Sequence, residues 1–294
     1  MKNLSISFKA KIAIFAATLI WGISFVFMET SLSEVPPNMI IGIRFTLAAL
    51  MLAIIFFKRL KQTNRQYIIQ GGLLGLFLYA AYAFQTLGLN DPITTPGKNA
   101  FLTAIYCVIV PFLYWIVKRK RPDIYNFVAA FVCIIGIGFV SLNINFTMGK
   151  GDVLTIIGGF MFAVHLIFVA EFTKDKDAIL ITLYQFVFCA IFAWIFSLFT
   201  EKAPTSISTG AIWQLLFLAF IATGVALLLQ NVGQKYTNPQ TASIILSLES
   251  VFGALFSIIL GYDGITVPKI IGFVLIFIAI IISETKLTFL SSKK

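Results

Sequence analysis

The 294 residues are 59% hydrophobic and 12% charged and include 31 Phe. A soluble domain of this length needs a polar shell that such a composition cannot supply, so the chain belongs in lipid. The net charge of +10 does not mark a nucleic-acid partner, because the cations are dispersed over short breaks between apolar stretches and form no basic domain.

Apolar stretches that can cross a bilayer, which takes about 20 residues at about 1.5 Å each, fall at 10–30, 38–57, 68–88, 99–117, 125–143, 153–173, 178–199, 211–231, 241–261 and 267–285. In hydrocarbon each must satisfy its own backbone hydrogen bonds, so ten helices are predicted. The first has a basic flank, but its apolar run is longer than a signal-peptide core and lacks a small-x-small cleavage site, so it is expected to be retained.

Polar groups inside the spans are few, and in lipid they face a cavity or a partner helix. On the first span Trp21, Gly22 and Phe25 lie together, and Gly22 lets a helix or a solute approach the backbone. Glu29 and Arg44 lie at similar depth near the outer ends of the first two spans. They read either as an ion pair that neutralises two costly charges or as an outer gate and carboxylate handle.

On the third span Tyr79, Tyr82 and Thr86 share a face, with Gln85 beside it. These tyrosines offer apolar walls with polar tips for a solute, or else belong to an interfacial aromatic belt. On the fourth, Asn99, Thr103 and Tyr106 follow i, i+4, i+7 spacing and form a stripe that lines a cavity or bonds a neighbouring helix. The sixth span carries Phe162 and the single histidine, His165, which is either a proton carrier or a satisfied structural residue. Glu249, near the middle of the ninth span, is either a substrate-amine or proton site, or a structural carboxyl bonded to Ser243, Ser247 or Ser250. Cys107, Cys133 and Cys189 all fall inside spans and have neither disulfide nor metal spacing.

Lys and Arg gather in every second break. Lys2, Lys9, Lys11, Lys58, Arg59, Lys61, Arg65, Lys118, Arg119, Lys120 and Arg121 lie on one side, followed by Lys174, Lys176, Lys235, Lys286, Lys293 and Lys294; the other side holds Lys98, Lys150, Lys202 and Lys269. Cytoplasmic loops carry this excess, so both termini are expected inside, with some attraction of the basic loops to anionic lipid. Asn145-Phe146-Thr147 matches a glycosylation acceptor in an outer loop, relevant only in a eukaryotic secretory pathway. The excess of Lys over Arg and the abundant Ile favour a bacterial cell (inner) membrane instead.

The two halves align with each other. Gly22-Ile23-Ser24-Phe25-Val26 matches Ala163-Val164-His165-Leu166-Ile167, and Arg44-Phe45 matches Gln185-Phe186, both at an offset of 141. Gln85-Thr86-Leu87-Gly88 matches Gln230-Asn231-Val232-Gly233 at 145, and Asn99 through Tyr106 matches Ala242 through Glu249 at 143. Five spans per half is an odd number, so the second half enters the membrane from the opposite side. The expected architecture is an all-α membrane protein of two inverted five-helix repeats, residues 1–146 and 147–294, around a central cavity.

The run Leu19-Ile20-Trp21-Gly22-Ile23-Ser24-Phe25-Val26, then Ile43-Arg44-Phe45, then Asn99-Ala100-Phe101-Leu102-Thr103 with Pro111, resembles the EamA family of the drug/metabolite transporter superfamily. So do Leu246-Ser247-Leu248-Glu249-Ser250-Val251-Phe252 and Ile271-Gly272. The resemblance covers essentially the whole chain and is nearest to YddG-like amino acid exporters. It implies ten helices in two inverted repeats that move small metabolites, often outward. Ser250 stands where many relatives carry Pro, so the ninth helix is expected to be straighter. His165 stands where many carry a small or aromatic residue.

One central acid, one His, several amides and hydroxyls and many aromatic rings suit a small zwitterion or cation, and an amino acid best. The acid would take the ammonium, and amide or hydroxyl donors with Arg44 the carboxylate. A nucleotide sugar would need several basic residues at mid-membrane, and none lies there. The alternative is efflux or uptake of another small metabolite or drug, such as a nucleobase, polyamine or lipophilic cation. No HExxH, P-loop or strand-borne GxGxxG motif points to an enzyme, and no cofactor or metal is implied. No segment resembles a selectivity filter. Coupling to protons through Glu249 or His165, facilitated diffusion without them, and a monomeric or homodimeric state all stay open.

Overall fold

The computed structural model describes residues 5–119, 121–141, 149–262 and 264–286. Lys2, Lys120, Lys293, Lys294, the Asn145–Thr147 acceptor and the 146/147 boundary lie outside the described residues, as does the side chain of Lys269.

Among the described residues the structure is helical, without strands. The first-half helices are α1 (Ile6–Leu32), α2 (Pro37–Ile55), α3 (Arg65–Leu89), α4 (Pro96–Thr103), α5 (Tyr106–Lys118) and α6 (Ile124–Ser141). The second-half helices are α7 (Lys150–Thr173), α8 (Ala178–Thr200), α9 (Thr209–Leu216), α10 (Ala226–Gln234), α11 (Pro239–Leu246), α12 (Leu248–Ile259) and α13 (Val267–Thr285). A π-helical segment, Phe217–Val225, joins α9 to α10. Starts follow local chemistry. Asn64, Thr95, Asp177, Ser208 and Asn238 each accept a backbone N–H of the following turn. Pro37, Pro96 and Pro239 sit where a missing N–H costs nothing.

Among the described residues, eight helices are long and apolar enough to cross a membrane: α1, α2, α3, Pro96–Lys118, α7, α8, Thr209–Gln234 and Pro239–Ile259. The predicted fifth and tenth spans correspond to α6 and α13, whose apolar stretches, Ile124–Gly136 and Ile270–Ile282, are shorter.

Two predicted helices are interrupted. The fourth span breaks into α4 and α5 at Ala104, whose N–H is shared between the carbonyls of Ala100 and Phe101 at 3.3 and 3.1 Å. Four residues downstream of Cys107, Pro111 has no N–H to return to its carbonyl. The ninth span, expected to be straighter for want of a Pro, breaks at Ser247 instead. The hydroxyls of Ser243, Ser247 and Ser250 donate to the carbonyls of Gln240, Ile244 and Ser247 at 2.7–2.8 Å and compete with the helical ladder. Ala104 and Ser247 are 143 residues apart, the offset at which these spans align.

Packing between the halves comes in exchanged sets. α3 packs on α7, as α10 packs on α1; α3 packs on α8, as the π segment packs on α2; α1 packs on α12, as α7 packs on α5. The exchange extends to single contacts. A β-carbon at Gly88 would lie 2.2 Å from Thr155 Oγ1, and one at Gly233 would lie 2.6 Å from Ile14 Cγ1. Residues 88 and 233, and 14 and 155, are equivalent at offsets 145 and 141. At Gly22 the close neighbour is a helix: a β-carbon there would lie 2.3 Å from Phe252 Cβ on α12. Lipid tails are as apolar as these side chains, so such close backbone approach, rather than hydrophobic burial, holds the helices together.

Candidate functional site

The two helix breaks decide the centre of the molecule. Tyr106 opens α5 and Glu249 lies in the first turn of α12, each two residues past its break. Tyr106 Oη donates to Glu249 Oε1 at 2.9 Å, and both residues are buried. Glu249 thus finds its partner in the other half. The serines proposed as neighbours spend their hydroxyls on backbone carbonyls.

Around this pair lies a cavity of about 620 Å³ of space not filled by atoms, part of it open to solvent. Of the candidate residues, Trp21, Arg44, Tyr82, Asn99, Tyr106, His165 and Glu249 line it. Trp21 Nε1 donates to the carbonyl of Ala222 in the π segment at 2.7 Å. Tyr82 stands edge-on to Phe45 and Phe162, with ring centroids 5.2 and 5.3 Å away. His165 Nε2 and Gln185 Oε1 lie 3.0 Å apart, and both residues are buried. Asn99 serves both roles considered for its stripe: it lines the cavity, and its Nδ2 donates to Thr155 Oγ1 at 2.8 Å and to the carbonyl of Gln85 at 3.1 Å.

Three candidates are placed elsewhere. Thr103 accepts from Gln85 Nε2 at 3.0 Å behind the cavity wall. Tyr79 donates to Asn38 Oδ1 at 2.9 Å, at the start of α2, and its ring stacks on Phe196 with centroids 5.3 Å apart. Glu29 is half-buried, and among the described residues no ion pair joins it to Arg44. Arg44 turns inward instead, and its Nε donates to Thr223 Oγ1 at 3.0 Å. The expected pair fails because similar depth on two helices does not set the direction in which the side chains point.

The cavity also uses residues that sequence reasoning passed over: Ser24, Met28, Leu227, Gln230 and Leu246. Gln230 had a signal, since it is the repeat equivalent of Gln85. Thr223, equivalent to Leu78, had none. Among the described residues, no three His, Cys, Asp or Glu side chains come together as a metal site.

Comparison with known proteins places this architecture. The chain matches the EamA-like transporter family twice, over residues 8–142 and 149–285. An uncharacterized transporter of Archaeoglobus fulgidus is 30% identical over 273 residues, covering 93% of this chain and 85% of that protein. The uncharacterized transporter YoaV of Bacillus subtilis is 24% identical over 279 residues, covering 91% and 94%. A solved crystal structure shares the fold with a TM-score of 0.77 over 96% of this chain and 98% of that one, at 14% identity.

Proposed function

This chain belongs to the EamA-like transporter family, and from that premise we propose that it exports an amino acid-like solute by alternating access. In this reading ten helices form two inverted five-helix halves, residues 1–146 and 147–294, in a bacterial inner membrane with both termini cytoplasmic. The exchanged packing sets support the inverted halves. A site between two similar, oppositely oriented halves opens to one side or the other when the halves trade conformations.

The observation that carries the proposal is the Tyr106–Glu249 hydrogen bond inside the cavity. It sets a carboxyl group between the halves, where a solute ammonium can meet it, while Trp21, Tyr82 and Phe162 wall the apolar part of the solute. Arg44 on the same cavity supplies the opposite charge. Proton exchange through Glu249 or His165 would drive export. The single cavity carboxyl among aromatic walls also favours a second reading, a polyamine or lipophilic cation.

The test is counterflow with purified protein in liposomes against a panel of amino acids, nucleobases, polyamines and lipophilic cations. An amino acid is expected to exchange faster than through empty liposomes, and an imposed pH gradient to change that rate. Flux of a polyamine or lipophilic cation with no amino acid flux would transfer the assignment to the second reading.

A further inference from the structure

Arg44 is the bulkiest of the fully buried side chains, at 2% exposure, and it lines the central cavity from α2. Its position is fixed from both halves. Nε donates to Thr223 Oγ1 at 3.0 Å, and the guanidinium carbon lies 4.9 Å from the ring centroid of Tyr82. The Thr223 hydroxyl in turn donates to the carbonyl of Leu218 at 2.7 Å, so its lone pairs face Arg44. At the other end one nitrogen, Nη2, is buried and meets no acceptor, while the Tyr82 side chain also engages the guanidinium.

Among the described residues no carboxylate pairs with this cation. Glu29 keeps an unpartnered Oε2 of its own, and Glu249 takes its hydrogen bond from Tyr106. A buried guanidinium without a counter-charge is costly, and the shared fold does not demand one, since the equivalent position in the second half is Gln185. A planar guanidinium held at Nε by Thr223, with a donor at Nη2 left without an acceptor, suits a carboxylate oxygen.

We infer that the Nη end of Arg44 is an anion site in the central cavity, and that the transported solute carries a carboxylate that docks there. The inference rests on this cavity being the solute site, but not on the solute being an amino acid.

The test uses four probes on the purified full chain: 3-phenylpropionate (a carboxylate without an ammonium), its uncharged amide, L-phenylalanine and inorganic phosphate. Heat-unfolding midpoints are measured for wild type, Arg44→Lys and Arg44→Gln, and the same probes compete in liposome counterflow. The acid is expected to raise the wild-type midpoint and the amide to leave it unchanged, with the shift lost in Arg44→Gln and weakened in Arg44→Lys. An amide as effective as the acid, no shift with any carboxylate, a shift with phosphate alone, or a full acid shift in Arg44→Gln would each overturn the site. The wild-type acid-against-amide comparison stands even where a variant fails to fold. An acid that binds while L-phenylalanine and the other amino acids neither bind nor move would sink the amino acid assignment and leave the anion site standing.

Discussion

Tyr106 and Glu249 occupy equivalent positions in the two halves, 143 residues apart, and are hydrogen-bonded to each other. Phe45 and Phe186, equivalent at an offset of 141, stack edge-on with ring centroids 5.5 Å apart. Equivalent residues can touch each other only where the operation relating the halves leaves them facing one another. Under the proposed inverted repeat these two pairs lie on the axis relating the halves, and the first of them lines the cavity.

The polar pair on that line is expected to be functional. Glu249→Gln removes the charge and keeps the shape; Tyr106→Ala removes the donor and part of the wall. Each is expected to lower counterflow by about tenfold or more, equivalent to ~1.4 kcal/mol of lost interaction, while size-exclusion profiles stay those of wild type. Normal flux in both variants would remove the pair from the site.

The glycines of the exchanged contacts make a stability prediction. A β-carbon at Gly88 would lie 2.6 Å from the carbonyl oxygen of Gly151, and one at Gly233 would lie 2.8 Å from that of Ala10. Backbone oxygens cannot rotate away, so Gly88→Ala and Gly233→Ala should each destabilise by about 1–3 kcal/mol through overpacking. Gly210, whose added carbon would find Ser208 Oγ at an ordinary 3.7 Å, is the control. Thermal midpoints in detergent check this; equal midpoints for Gly88→Ala and Gly210→Ala would refute it.

The membrane orientation is testable because Cys107, Cys133 and Cys189 are all buried, so the wild-type background should label little. Lys61, Lys174 and Lys202 are exposed. A cysteine at 61 or 174 should react with an impermeant maleimide only from the cytoplasmic face, and one at 202 only from outside. Labelling of all three from one face would contradict the charge-derived topology.

The apolar runs made the eight long spans among the described residues legible, because crossing a bilayer constrains length and composition strongly. The repeat made the Tyr106–Glu249 relation legible, because the alignment of the two halves at an offset of 143 pairs these positions. The breaks were not legible. The break at Ser247 comes from Ser hydroxyls that compete locally with the helical ladder, and at Ala104 the N–H is shared between two carbonyls, a balance that depends on the surrounding packing. Phe217–Val225 reads as an ordinary apolar span, and no residue in it announces the π geometry that offers Ala222 to Trp21 and Thr223 to Arg44. Tyr79 shares a helix face with Tyr82, but Phe196 and Asn38 draw it away from the cavity.

The antiparallel pair α2 and α8 is tied at both ends by carboxylates on helix N-termini, where unpaired N–H groups favour negative charge. At the end where α8 finishes, Glu201 accepts from Asn38 N and Nδ2 at 2.7 and 2.9 Å and from Met39 N at 2.9 Å. At the other end Asp177 caps α8 through Ile179 N at 2.9 Å and forms an ion pair with Arg59, just beyond α2. If the halves alternate, the two ties cannot both persist through the cycle, so weakening one should favour opening at that end. Glu201→Gln removes charge-assisted bonds worth about 1.5–3 kcal/mol each and should raise labelling of a cavity cysteine, Ser24→Cys, from outside. Asp177→Asn should raise it from the cytoplasmic face. Identical shifts in both variants would mean that the ties only stabilise the helices and do not gate the cavity.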